Sequence, residues 1–166
     1  KFCAPVYITL TEWAFSRMQF LETQESSRTS HQAFYHSIGF DSDLMKLTHK
    51  RMGRYATIVS PIPQSIVRIS DGDNIEINGE SWSVIIGKGH APEQATLFNN
   101  DAKILISGDQ VLPRISPNIS VVPSEPEGNP LKLFLTSLDS FRSLPEDTLV
   151  LPSHDWPFLN LIERLD

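Results

Sequence analysis

The chain has one cysteine, Cys3, so no internal disulfide can form and packing alone must hold the fold. A lone thiol fits a reducing cytosol, and the expected location is cytoplasmic. No apolar run approaches the roughly 20 residues that a membrane-crossing helix needs. The opening Lys1-Phe2-Cys3-Ala4-Pro5 leads into a short strand-like run and then polar and aromatic residues, which is not the pattern of a secretory leader. Positive charge is scarce: 14 Lys and Arg stand against 20 Asp and Glu, for a net charge of −6. That balance excludes a protein whose partner is nucleic acid, which requires a basic surface. Internal repeats and low-complexity tracts are absent. The chain opens on Lys1 rather than Met, and the expectation is a fragment or processed product whose earlier part is missing.

With 166 residues, 40% hydrophobic and 20% charged, the chain can bury a core as one globular domain. Val6 to Thr9 reads as a strand. Thr11 is a candidate helix cap, with Trp13, Phe15, Met18, Phe20 and Leu21 following at near-helical spacing. The Ser26-to-Ser30 cluster is expected to break that helix. A second helix runs from about His31 to Ile38 and stops at Gly39. Asp41 or Ser42 caps a third, carrying Leu44, Met45, Leu47 and Met52. Ser60-Pro61-Ile62-Pro63 is a connector that cannot be helical. From there the texture turns to β: Ser65 to Ile69, then Asn74 to Ile77 returning through Asn78-Gly79 into Trp82 to Ile86, then Ala95 to Phe98 with Ile104 to Ile106. Residues 113–130 read as a long irregular loop. Helices are expected over Leu131 to Leu144 and Pro157 to Leu165, with a strand at Thr148 to Leu151 between them.

Three strands end in a potential metal ligand. Trp82-Ser83-Val84-Ile85-Ile86-Gly87-Lys88-Gly89-His90 gives a histidine. Ile104-Leu105-Ile106-Ser107-Gly108-Asp109 gives a carboxylate, and Leu149-Val150-Leu151-Pro152-Ser153-His154 a second histidine. Singly, each has an ordinary reading: His90 and Asp109 as turn residues, His154 as a surface residue at a helix entry. Jointly they point to a metal site at one end of a sheet. Imidazole with carboxylate suits zinc, with iron or manganese as alternatives, better than magnesium or calcium. A carboxylate can give one oxygen to each of two metals, so His90, Asp109 and His154 read as two metals sharing Asp109. Two metals about 3.5–4 Å apart form a hydrolytic centre.

The segments Gly89 to Phe98, Leu105 to Leu112 and Leu151 to Phe158 resemble the second half of the metallo-β-lactamase-fold hydrolases. The resemblance implies an α/β fold: the C-terminal half of an αββα sandwich, with a mostly antiparallel sheet, outer helices and an inserted helical segment over residues 11–56. Residues 64–166 would be the half that carries the ligand-type side chains. It implies that His90 ligates the first metal, that Asp109 bridges and is catalytic, and that His154 ligates the second. The family's His-x-His-x-Asp-His signature, which supplies most of the remaining ligands, does not occur; His31, His36 and His49 are not so spaced. The expected parent activity is metal-dependent hydrolysis of a small-molecule ester, thioester, lactone or amide. The chain alone is expected to be inactive and to hold metal poorly. A second reading is a non-catalytic remnant that folds and associates.

Arg114 could meet an anionic substrate, against a surface ion pair as the ordinary reading. Asn118 falls in an Asn-x-Ser triplet that a cytosolic chain would not glycosylate. Lys50, Arg51 and Arg54 are read as complementing a helix dipole. Trp13, Phe15, Met18, Phe20, Phe34 and Tyr35 are read as core or interface before a lid over an acyl substrate, and Cys3 as inert. Val84, Ile86, Leu97, Ile104 and Ile106 would leave an apolar sheet face bare, so a homodimer is expected.

Overall fold

The computed structural model describes residues 4–50 and 52–166; Cys3 and Arg51 lie outside the described residues. The chain folds as two compact units. One comprises Lys1–Glu12, Ile66–Ser120 and Asn129–Asp166; the other comprises Trp13–Ser65 and Val121–Gly128.

The first unit is built on a five-stranded sheet. β3 (Asn74–Ile77), β4 (Glu80–Gly87), β5 (Gln94–Asn99), β6 (Ile104–Gly108) and β7 (Leu149–Pro152) lie side by side in chain order. The first four pair antiparallel and β6 pairs parallel with β7. A parallel pair needs a crossover connection, and the segment containing α5 (Pro130–Leu138) supplies it. Asn78 and Gly79 close the β3–β4 hairpin with φ of 54° and 81°, the two positive values that a tight primed turn demands. A separate parallel pair joins β1 (Tyr7–Ile8) to β2 (Val67–Arg68).

Side chains alternate between the sheet's faces, as the two-residue period requires. One face carries Phe98, Leu105 and Val150, packed with Val111, Leu138, Phe141 and Leu161. Leu105, Phe141, Val150 and Leu161 have no measurable exposure. The other face carries Val84 and Ile86, clustered with Ile69 and flanked by Ile75, Ala95 and Leu97. Ile69, just beyond β2, thus covers part of the face that the sequence left open.

Several boundaries shift for local reasons. α5 ends at Leu138 rather than Leu144, because the next amides turn to tighter partners: Ser140 N–H donates to Ser137 O at 3.3 Å and Phe141 N–H to Leu138 O at 3.0 Å. The expected helix from Pro157 begins only at Leu161, as α6 (Leu161–Leu165). Asp155 and Asn160 both take left-handed backbone angles, φ 67°, and between them Phe158 exchanges main-chain hydrogen bonds with Val150. That pairing occupies backbone that a helix would have used.

The second unit is helical. α1 (Leu10–Leu21) starts in the first unit, where its cap is Thr9 rather than Thr11: the Thr9 hydroxyl accepts from the Glu12 N–H at 3.2 Å. The Ser26-to-Ser30 cluster does not break a helix but lies within α2 (Gln24–Ser37). Two of its hydroxyls bond back to earlier carbonyls instead of competing for the helix, Ser27 to Thr23 O at 3.1 Å and Ser30 to Ser27 O at 3.0 Å. Gly39, at φ 86°, follows its end. Asp41 caps α3 (Ser42–His49), accepting from the Asp43 and Leu44 N–H groups, and α4 (Tyr55–Ile58) follows. Tyr35 stacks on Phe40, with ring centroids 5.0 Å apart, and meets Phe34 edge-on. Trp13 donates its indole N–H to Pro63 O at 2.7 Å.

Candidate metal centre

β4, β6 and β7 run in the same direction, because β5 reverses between the first two and β7 is parallel to β6. Their C-terminal ends therefore meet at one edge of the sheet, and His90, Asp109 and His154 follow those ends. Asp109 stands between the two histidines: Oδ2 lies 3.3 Å from His90 Nε2 and Oδ1 lies 3.3 Å from His154 Nε2. His90 and Asp109 are mostly covered, with side chains 28% and 29% exposed, whereas His154 is open at 65%.

Each side chain is held by local chemistry. Gly108 ends β6 at φ 56°, a left-handed conformation that favours glycine, and a Cβ there would push aside the end of the Gln94 side chain, whose Nε2 would lie 2.2 Å away. The Ser153 N–H donates to Gly108 O at 3.1 Å, which ties the ends of β6 and β7 together. The Ser153 hydroxyl also donates to Asp109 Oδ1 and orients the carboxylate. Gly89, at φ 94°, turns the chain into His90, and a Cβ on it would lie 2.4 Å from Pro130 O and 2.5 Å from Phe134 Cβ. Lys88 N–H donates to Ser137 Oγ at 3.1 Å, which docks this loop on α5. On the other flank, Glu12 accepts from the Glu93 N–H at 2.7 Å. Burial lifts the Glu12 carboxyl above the usual carboxylate range; the Glu93 N–H opposes that rise, the Glu93 charge adds to it, and nearby His90 draws it back.

His90 Nδ1 lies 2.9 Å from Asn118 O. A carbonyl can only accept, so Nδ1 carries a hydrogen, and Nε2 is the nitrogen turned toward Asp109. Nε2 faces a carboxylate oxygen at 3.3 Å. Two donors held by one zinc at about 2.0–2.1 Å in tetrahedral geometry stand about 3.3 Å apart. Both N···O separations fit that value, and the imidazole–carboxylate donor set fits the metals expected from sequence. Among the described residues, no group of three or more His, Cys, Asp or Glu side chains is placed to hold a metal ion. The cluster brings one carboxylate between two imidazoles.

Arg114 lies outside the cluster. Its Nε is 3.4 Å from Asp155 Oδ2, with the side chain 78% exposed. With Pro113, Asp155, Trp156 and Phe158 it lines a cleft of about 430 Å³ beside the His154 loop. Sequence reasoning missed Ser153 and the Asn118 carbonyl. A serine before a histidine carries no signal of its own, and a main-chain carbonyl carries none at all.

The model of the metallo-beta-lactamase superfamily matches residues 6–154. The chain belongs to that superfamily. A crystal structure of a beta-lactamase domain protein from Burkholderia ambifaria superposes with a TM-score of 0.81 at 34% identity, covering 99% of this chain and 45% of that one. A metallo-beta-lactamase family protein from Thermus thermophilus gives a TM-score of 0.74 at 25% identity, covering 98% and 50%. A hydroxyacylglutathione hydrolase from Prochlorococcus marinus (strain MIT 9301) is 28% identical over 106 residues, which is 63% of this chain and 40% of that protein. Another superfamily-fold structure, at 20% identity and a TM-score of 0.58, was solved in a di-iron-bound form. The chain thus spans two-fifths to one-half of the length of the first three. Among the described residues, no helix is long and apolar enough to cross a membrane.

Proposed function

We propose that this chain carries the ligand-bearing C-terminal part of a dinuclear metal hydrolase acting on an ester, thioester, lactone or amide. The carrying observation is Asp109, whose two oxygens face two different histidines at 3.3 Å. His90 would hold one metal and His154 the other, with Asp109 shared between them. Bound metals would supply Lewis acidity toward the scissile bond and a more acidic water. The chain's own residues do the positioning. Asn118 O fixes the His90 tautomer, Ser153 fixes the carboxylate plane, and Gly89 and Gly108 allow the backbone to turn at the site. The name of the Prochlorococcus relative, in which the acyl group is carried by glutathione, favours the thioester among the four classes. Zinc is the proposed metal, with iron or manganese as alternatives. A cytoplasmic location is part of the proposal and rests on the single cysteine.

The test is a zinc titration of the chain with parallel variants, together with hydrolysis of a p-nitrophenyl ester and an acyl thioester. Two weak zinc equivalents are expected. His90→Gln and His154→Gln should each remove one, and Asp109→Ala both. In a longer protein that also supplies His-x-His-x-Asp-His, Asp109→Ala should abolish turnover; near-normal turnover there would refute the reading.

A non-catalytic remnant is the second reading. The observation favouring it is the absence of a group able to hold a metal among the described residues. Unchanged zinc binding in Asp109→Ala, with hydrolysis at background in every form, would select it.

A further inference from the structure

We infer that Arg164 is a positioning residue for the His90 half-site, acting through the loop between Asp109 and Asn118. The inference rests on the ligand reading above and adds a residue to it. Arg164 lies on α6, well beyond His154 in the chain. Its Nε donates to Leu112 O at 2.6 Å and its Nη2 to Ile115 O at 3.0 Å. It makes no ion pair with an acidic side chain among the described residues. A half-buried guanidinium is thus committed to two main-chain carbonyls of one loop.

Apart from the exposed Arg114–Asp155 ion pair, that loop has little else to hold its outer part among the described residues. Pro113 and Pro117 have no N–H to donate. The inner end is secured: Val111 and Leu112 are buried, and the Ser107 hydroxyl donates to Val111 O at 2.8 Å. Arg114, Ile115 and Ser116 are exposed. Arg164 bonds on either side of that transition, at 112 and at 115. Three residues further on, Asn118 O accepts the His90 Nδ1 hydrogen. Arg164 therefore fixes the path of the loop whose carbonyl fixes the tautomer and direction of His90. The task suits arginine, since its rigid planar fork presents separate donors to two acceptors, whereas a lysine ammonium is a single point.

The test compares the full chain with Arg164→Ala and Arg164→Lys. Long-range nitrogen–proton NMR of the metal-free protein distinguishes a protonated from a bare ring nitrogen, and zinc titration follows on the same samples. In folded Arg164→Ala, the His90 Nδ1–H signature should give way to a mixture of tautomers, with zinc affinity at that half-site falling about 10-fold, the low end of what lost supporting contacts cost. His154 signals should not move. Arg164→Lys should fall between the two, and it carries the test if the alanine variant does not fold. A merely structural role would lower the melting temperature and leave the His90 signature of the folded protein intact; that result would overturn the inference. The NMR readout uses no metal, so a shifted tautomer with unchanged zinc binding would keep the positioning role and sink the ligand reading instead.

Discussion

Ser153 gives its hydroxyl hydrogen to Asp109 Oδ1, the same oxygen that faces His154 Nε2 at 3.3 Å. One residue thus aims the carboxylate while its neighbour in sequence offers the imidazole. Contacts that orient a metal ligand typically change affinity by about 10–100-fold when removed. Ser153→Ala should weaken zinc binding by about 10-fold at the His154 half-site. Stability should hardly change, because Ser153 is exposed to water. Isothermal titration together with thermal melting checks both parts. Unaltered affinity would mean that Asp109 is aimed by its backbone alone.

Gly89 and Gly72 separate two costs that glycine replacement usually confounds. Both have positive φ, 94° and 80°. A Cβ at Gly72 meets nothing within 4 Å, whereas one at Gly89 falls on Pro130 O and Phe134. Gly72→Ala should cost only the left-handed backbone penalty, about 1–2 kcal/mol. Gly89→Ala adds an overpacking penalty of about 1–3 kcal/mol, and relief would push the His90 loop away from α5. Urea unfolding of both variants is the check. Equal losses would show that α5 yields freely and does not brace the metal centre.

The legible parts of the chain were those where local pattern and tertiary demand coincide. β4, β6 and β7 are apolar runs that end in glycine or proline followed by a ligand-type residue, and the sheet needs them where the pattern puts them. Asn78-Gly79 has the two residues that a primed turn accepts. Elsewhere a local signal competed with something distant. The serines of α2 look like a break, yet Ser27 and Ser30 fold their hydroxyls onto carbonyls three or four residues earlier. Pro157 looks like a helix start, yet Phe158 is taken by Val150 on β7. The ligand candidates could be named because imidazole and carboxylate are distinctive. Their supports could not: Ser153 and Arg164 are common residues whose roles depend on atoms brought near only by folding.

Glu12 sets a pH dependence. Burial raises its folded-state pKa above the unfolded value, so the folded chain binds this proton more readily. Its contribution is present below the unfolded pKa, about 4.3, and is lost as pH rises through the folded value. At neutral pH the half-buried charge is therefore a cost. Glu12→Gln keeps an acceptor for the Glu93 N–H and removes the charge. The variant should melt higher than the parent sequence at pH 7, with the gap closing toward pH 4. A gap of constant size across that range would mean that the effect is not ionic.

The homodimer remains a proposal, and the sheet suggests where it would form. Ile69 covers Val84 and Ile86, so that part of the apolar face needs no partner. Ile77 and Ile106 stay 44% and 40% exposed. β3 is an edge strand, and an unpaired edge invites a second strand; at the opposite edge, Phe158 already pairs with part of β7. Pairing of two copies along β3 would satisfy the open backbone groups and cover Ile77. Sedimentation across micromolar concentrations should show a dimer of the 18.7 kDa chain. Ile77→Lys, which places a charge on the edge, should shift it to monomer without lowering the melting temperature at high dilution, where the dimer contributes nothing. A monomer at every concentration, for both sequences, would mean that the exposed isoleucines and the open edge do not bring two copies together.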